Sequence, residues 1–129
     1  MSILMYCDGT EYMKKTLSTV TKHAKVLKTK VDVVSSLSRG GDLEPQKIRK
    51  ARGCLMDLKA AIEKEHVACD TYLLMKGNYA GADVVKFAEE HGVDEIIISA
   101  EKKSRIEKLI LGSVAQYVIL NAECPVVIV

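Results

Sequence analysis

Five short apolar runs alternate with four amphipathic segments along this chain, and that order leaves few folds open. Ile3-Leu4-Met5-Tyr6 is the first run. It ends in Cys7-Asp8-Gly9-Thr10, a cluster of turn-forming and capping residues. Met13, Leu17, Val20, Ala24 and Leu27 then fall at helical spacing. Val31 to Val34 is a second strand, followed by a polar loop from Ser35 to Asp42 that holds Gly40-Gly41. Pro45 suits a first helical position, where its missing N–H costs nothing. Ile48, Ala51, Leu55, Leu58 and Ile62 continue that helix at spacings of three and four. Val67 to Met75 is the third and least apolar strand. Val84, Val85 and Ala88 mark a third helix that Gly92 closes. Ile96-Ile97-Ile98 is a fourth strand, with a polar loop after it to about Lys108. Gly112-Ser113 opens a fourth helix with Ala115, Val118, Ile119 and Ala122 inward, and Pro125 leads into Val126-Val127-Ile128-Val129.

The pattern is β-α-β-α-β-α-β-α-β, with no repeat and no linker. It predicts one α/β domain over residues 1–129: a doubly wound, five-stranded parallel sheet with right-handed crossovers and helices on both faces. The composition agrees. Of 129 residues 48% are hydrophobic and only 5% aromatic, so the core is aliphatic, as buried parallel strands require. Ligands of such sheets bind outside the carboxyl ends of the strands, where the strand order reverses. For an order of 3-2-1-4-5 that point lies between strands one and four. The loops at issue are Cys7 to Thr10 and Ser99 to Ser113.

Several function classes are disfavoured. A net charge of +2 implies neither nucleic acid nor a membrane as partner. Lys14, Lys15, Lys22, Lys25, Lys28 and Lys30 read as the solvated face of the first helix. Cys7, Cys54, Cys69 and Cys124 form no C-x-x-C pair, and His23, His66 and His91 stand at no metal-ligand spacing to them. They read as small buried hydrophobes of a reduced protein, and a cytoplasmic location is expected. No leader segment and no apolar run of roughly 18 residues is seen. No Ser-His-Asp or Cys-His arrangement and no P-loop can be drawn, so catalysis finds no support. Cys7 beside Asp8 is either a reactive thiol at a pocket mouth or a buried strand-end residue. Ser113-Val114-Ala115-Gln116 has the form of a capping box, and Gly112-Ser113 could also present N–H groups and a hydroxyl to an anion.

Two strings carry a resemblance. Asp8-Gly9-Thr10-Glu11 directly after the first strand resembles the opening of universal stress protein domains. Leu109-Ile110-Leu111-Gly112-Ser113-Val114-Ala115, with Ala122-Glu123-Cys124-Pro125-Val126-Val127-Ile128-Val129, is similar to their ending. Ala88 to Ile98 matches the third helix and fourth strand of the same family. The resemblance implies a Rossmann-like domain of order 3-2-1-4-5 that dimerises through its last strand, and in many members binds an adenine nucleotide. Such members carry G-x2-G-x9-G-[ST] after strand four. Here Gly112 and Ser113 keep the end of that motif, while Ser99 and Lys102 stand where its first two glycines would be. Glycines let backbone N–H groups approach phosphate without a Cβ in the way. A lysine offers only a point charge.

The resemblance also places a carboxylate, here Asp8, near the adenosine, and the end of strand two, here Ser35 or Ser36, along the adenine pocket. Asp8 has a second reading as a turn or cap residue with Thr10. The candidate nucleotide-binding residues are thus Asp8, Ser36, Ser99, Lys102, Gly112 and Ser113. No cofactor is certain; ATP or AMP is the candidate. Val126, Val127, Ile128 and Val129 form an uncharged edge strand that needs a cover. A second copy paired across a two-fold axis would supply it. The sequence therefore reads as a homodimeric stress-response binding or adaptor module with weak or no ATP binding. The alternative is an adenine-nucleotide switch using Asp8, Lys102, Gly112 and Ser113.

Overall fold

The computed structural model describes residues 1–9, 13–37, 44–100 and 111–129. Within them the expected alternation appears as β1 (Ser2–Tyr6), α1 (Met13–Leu27), β2 (Lys30–Ser36), α2 (Pro45–Lys64) and β3 (Cys69–Leu74). It continues with α3 (Ala80–Glu90), β4 (Glu95–Ile98), α4 (Ser113–Asn121) and β5 (Val126–Ile128). The five strands are all parallel, in the order β3-β2-β1-β4-β5. Among the described residues no helix is long and apolar enough to cross a membrane.

Side-chain alternation sorts each strand between two cores. Ile3, Met5, Val31, Val33 and Ile97 point to one face, where Val20 and Ala24 of α1 and Leu55, Leu58 and Ile62 of α2 cover them. Leu4, Tyr6, Val34, Ile96 and Ile98 point to the other, under Val84, Phe87 and Ala88 of α3 and Ala115 and Val118 of α4. The central strands are buried on both faces, which is why they read as largely apolar runs rather than as alternating ones, with the buried Asp32 as the break in β2. Tyr72 and Phe87 close the second core beside β3, with ring centroids 4.7 Å apart. Gly92 follows the C-cap His91 of α3 at φ +60°, a left-handed turn that glycine enters without strain.

Some boundaries and faces differ from expectation. β3 is shorter than Val67–Met75. Lys28 and Lys30 lie beyond the last turn of α1, so they do not belong to its solvated face. Leu27 is exposed, whereas Thr16 is buried in its helix. Ile119 is 42% exposed and Leu120 82%, so α4 turns an apolar flank outward. Ala115 and Val118 are the two buried residues of this nine-residue helix.

Candidate functional site

The strand order reverses between β1 and β4, and the carboxyl ends of these two strands are tied together there. Ser99, buried just after β4, donates from Oγ to Asp8 Oδ2 at 3.2 Å. Gly9 sits at φ +77°, and a Cβ added there would meet nothing within 4 Å. It is therefore the backbone turn after Asp8, not crowding, that calls for glycine. The β4 exit is fixed by β5: Ala100 N–H donates to Val129 O at 2.9 Å and Val129 N–H to Ile98 O at 3.0 Å.

Ser36, at the end of β2, turns its side chain to the α3 face. Its Oγ donates to Asp83 Oδ2 at 2.8 Å, and Asn78 Nδ2 donates to Asp83 Oδ1 at 3.3 Å. Asp83 is itself buried in the first turn of α3, where the helix dipole favours a negative charge. The Ser36 hydroxyl is therefore spent on the fold, and Ser36 meets the site through its backbone.

Gly112 and Ser113 start α4, but not as a capping box. Gly112 is the N-cap, in an extended conformation at φ −65° and ψ 165°, and no side chain caps the helix. Its carbonyl accepts from Gln116 N–H at 3.0 Å, which places Ser113 one residue inside the helix, too late to act as the cap. The Gln116 side chain donates instead to Leu111 O at 2.9 Å. Ser113 is exposed. Lys102 and Thr10 lie outside the described residues.

A cleft of about 330 Å³ opens at this end of the sheet. Tyr6, Cys7, Asp8 and Gly9 line it from β1, Ser35, Ser36 and Leu37 from β2, and Lys47, Lys50, Ala51 and Cys54 from α2. The α2 wall follows from none of the sequence motifs. Its signal is a second stripe at i, i+3, i+4 and i+7, adjacent to the apolar one that packs on the sheet. Burial pushes the Cys7 thiol up to about 11, so it is protonated and a weak nucleophile; the buried strand-end reading holds. Burial, with the Asp8 charge behind it, raises the Tyr6 hydroxyl to about 12. Both groups are neutral near neutral pH. The described residues hold no group of His, Cys, Asp or Glu that could bind a metal ion, and the four cysteines are free.

A slot at the carboxyl ends of β1 and β2 in a 3-2-1-4-5 sheet, with Asp8 in its lining, invites comparison with known proteins. The model of the universal stress protein family matches residues 1–129. The chain belongs to that family. A universal stress protein of Methanocaldococcus jannaschii is 45% identical over 47 residues, a stretch that takes in 36% of this chain and 28% of that one. A universal stress protein of Archaeoglobus fulgidus has the same fold at a TM-score of 0.91. It is 33% identical, with 99% of this chain and 97% of that one covered. A universal stress protein structure from the same organism, solved in complex with dAMP, superposes at 0.85 with 30% identity over 99% and 96% of the two chains. The universal stress protein fold thus accounts for the strand order and the crossovers. The residues of the cleft are this chain's own.

Proposed function

We propose that this universal stress protein is a homodimeric binding module whose cleft takes an adenine nucleotide, with a monophosphate held better than a triphosphate. The observation that carries this is the cleft itself. It lies at the carboxyl ends of β1 and β2 against α2, is walled by Leu37, Ala51 and Cys54, and has Asp8 in its lining. Apolar walls with a few polar groups suit a flat base and a ribose. The relative from A. fulgidus bound to dAMP supports the choice of nucleotide. Asp8 is the candidate for the ribose hydroxyls, since a carboxylate accepts from both. Gly112 and Ser113 offer the first N–H groups of α4 to a phosphate. Ser99 and Lys102 replace the two glycines of the usual phosphate loop, which favours one phosphate over three.

The second part of the proposal concerns β5. Among the described residues it pairs with β4 alone; Val126, Val127, Ile128 and Val129 are each partly exposed, and Ile119 and Leu120 of α4 are exposed. Pairing of two such edges across a two-fold axis would satisfy their backbone groups and cover the apolar flank. Such a dimer could act as an adaptor in a stress response, signalling ligand occupancy through the α4–β5 unit. Mass analysis of gently denatured protein tests the ligand reading: a co-purified adenine nucleotide supports it. A thermal midpoint unmoved by millimolar AMP and ATP counts against it, because a specific ligand stabilises by mass action.

A further inference from the structure

Four cations crowd the start of α2. Lys47, Arg49, Lys50 and Arg52 are all exposed, and no Asp or Glu stands anywhere from Pro45 to Met56. The first turn holds no acidic residue, and no side chain caps the helix. Electrostatics disfavours this arrangement. A helix start is the positive end of the dipole, so cations stabilise the other end. Lys47 and Lys50 also neighbour each other across one turn, as do Arg49 and Arg52, and like charges there repel. A segment that had only to form a helix would carry Asp or Glu in its first turn. An anion seated beside these cations offsets the repulsion.

The cleft gives such an anion a place. Lys47 and Lys50 line it, on the same flank of α2 as Ala51 and Cys54, whereas Arg49 and Arg52 are not among its lining residues. We propose that Lys47 and Lys50 form an oxyanion-binding edge of the cleft and neutralise the phosphate of the bound nucleotide. This rests on the nucleotide reading given above. Each ammonium brings a full charge and three donors to a phosphate monoester, where the N–H groups of α4 bring only partial charge. A nucleoside without a phosphate leaves the two lysines repelling each other and is held less tightly.

The test is calorimetric titration of AMP and of adenosine, at low and high salt, into the wild type, Lys47→Gln/Lys50→Gln and a charge-matched control, Arg49→Gln/Arg52→Gln. Both double variants remove like charges from the helix start and are expected to fold with an unlowered thermal midpoint. The lysine variant is expected to bind AMP roughly tenfold more weakly, with its adenosine affinity unchanged. Added salt weakens AMP binding in the wild type and does so less in the lysine variant. The arginine variant keeps AMP affinity within about twofold, since its charges lie off the cleft and are screened. The proposal is overturned by a wild type that binds adenosine as tightly as AMP, or by unchanged AMP affinity in the lysine variant. It is overturned equally by a matching loss for adenosine, by a matching loss in the arginine variant, or by a lowered midpoint that marks the lysines as structural. A wild type that binds neither AMP nor adenosine at millimolar concentration overturns the nucleotide reading itself, and the lysine edge with it.

Discussion

The Ser36 hydroxyl donates to Asp83 Oδ2 across 2.8 Å, linking the end of β2 to the first turn of α3 over 47 residues of chain. Asp83 also accepts from Asn78, so one buried carboxylate holds a strand end and the β3–α3 loop together. Asp83→Ala removes the acceptor of the half-buried Ser36 hydroxyl and of the exposed Asn78 amide. It is expected to cost about 2–3 kcal/mol, read as a lower urea midpoint with an unchanged slope.

Two glycines in helices should respond oppositely to alanine. A Cβ on Gly81 would stand 2.9 Å from Cβ of Tyr117 and 2.7 Å from the Tyr79 ring, where α3 and α4 touch. The Tyr79 ring can swing aside; Tyr117 Cβ is fixed to its helix. Gly81→Ala is therefore expected to destabilise by about 1–3 kcal/mol in spite of its better helix propensity. Gly53 in α2 meets nothing within 4 Å. Gly53→Ala should stabilise by up to about 1 kcal/mol. Thermal unfolding of the two variants beside the wild type checks both signs.

Alkaline pH should weaken the fold. Burial raises Cys7 to about 11 from an ordinary 9.0 and Tyr6 to about 12 from 10.0. For a raised pKa the folded state holds the proton longer than the unfolded one. The stabilisation is complete below pH 9 and is lost as pH rises from about 9 to about 12. Tyr6→Phe should flatten the upper part of that fall, from about pH 10 to about 12, in a urea series. In the same way, Cys7 should resist alkylation by iodoacetamide at about pH 8 until the protein is unfolded.

The dimer reading makes its own prediction. Val127→Lys places a charge in the middle of the β5 edge, where an antiparallel pair would bury it. Light scattering at tens of micromolar is expected to give a dimer for the wild type and a monomer for the variant. A monomeric wild type would remove the argument from the exposed edge.

The strands and helices were legible because each central strand is mostly apolar and each helix repeats at three and four. Pro45 and Gly92 marked their boundaries by backbone constraint alone. The site was legible only in part. Asp8 and Ser99 could be placed because they follow strand ends, Gly112 and Ser113 because they open α4, and the resemblance put the end of β2 beside the pocket. The partner of Ser36 could not be named, since nothing in the sequence pairs it with Asp83. Ser113 read as a cap because Ser-x-x-Gln fits the pattern, but Gly112 takes that place with its backbone alone. Ile119 read as inward because the apolar pattern of α4 runs almost all round the helix, and a helix of that kind does not say which side faces the sheet.

The central claim is that the cleft between β1, β2 and α2 binds an adenine nucleotide. Calorimetric titration of AMP into the wild type and Asp8→Asn tests it most directly. The account expects saturable binding of one AMP per chain in the wild type and weaker binding, by roughly tenfold, once the carboxylate is lost. No heat of binding and no rise in thermal midpoint at millimolar AMP would contradict it.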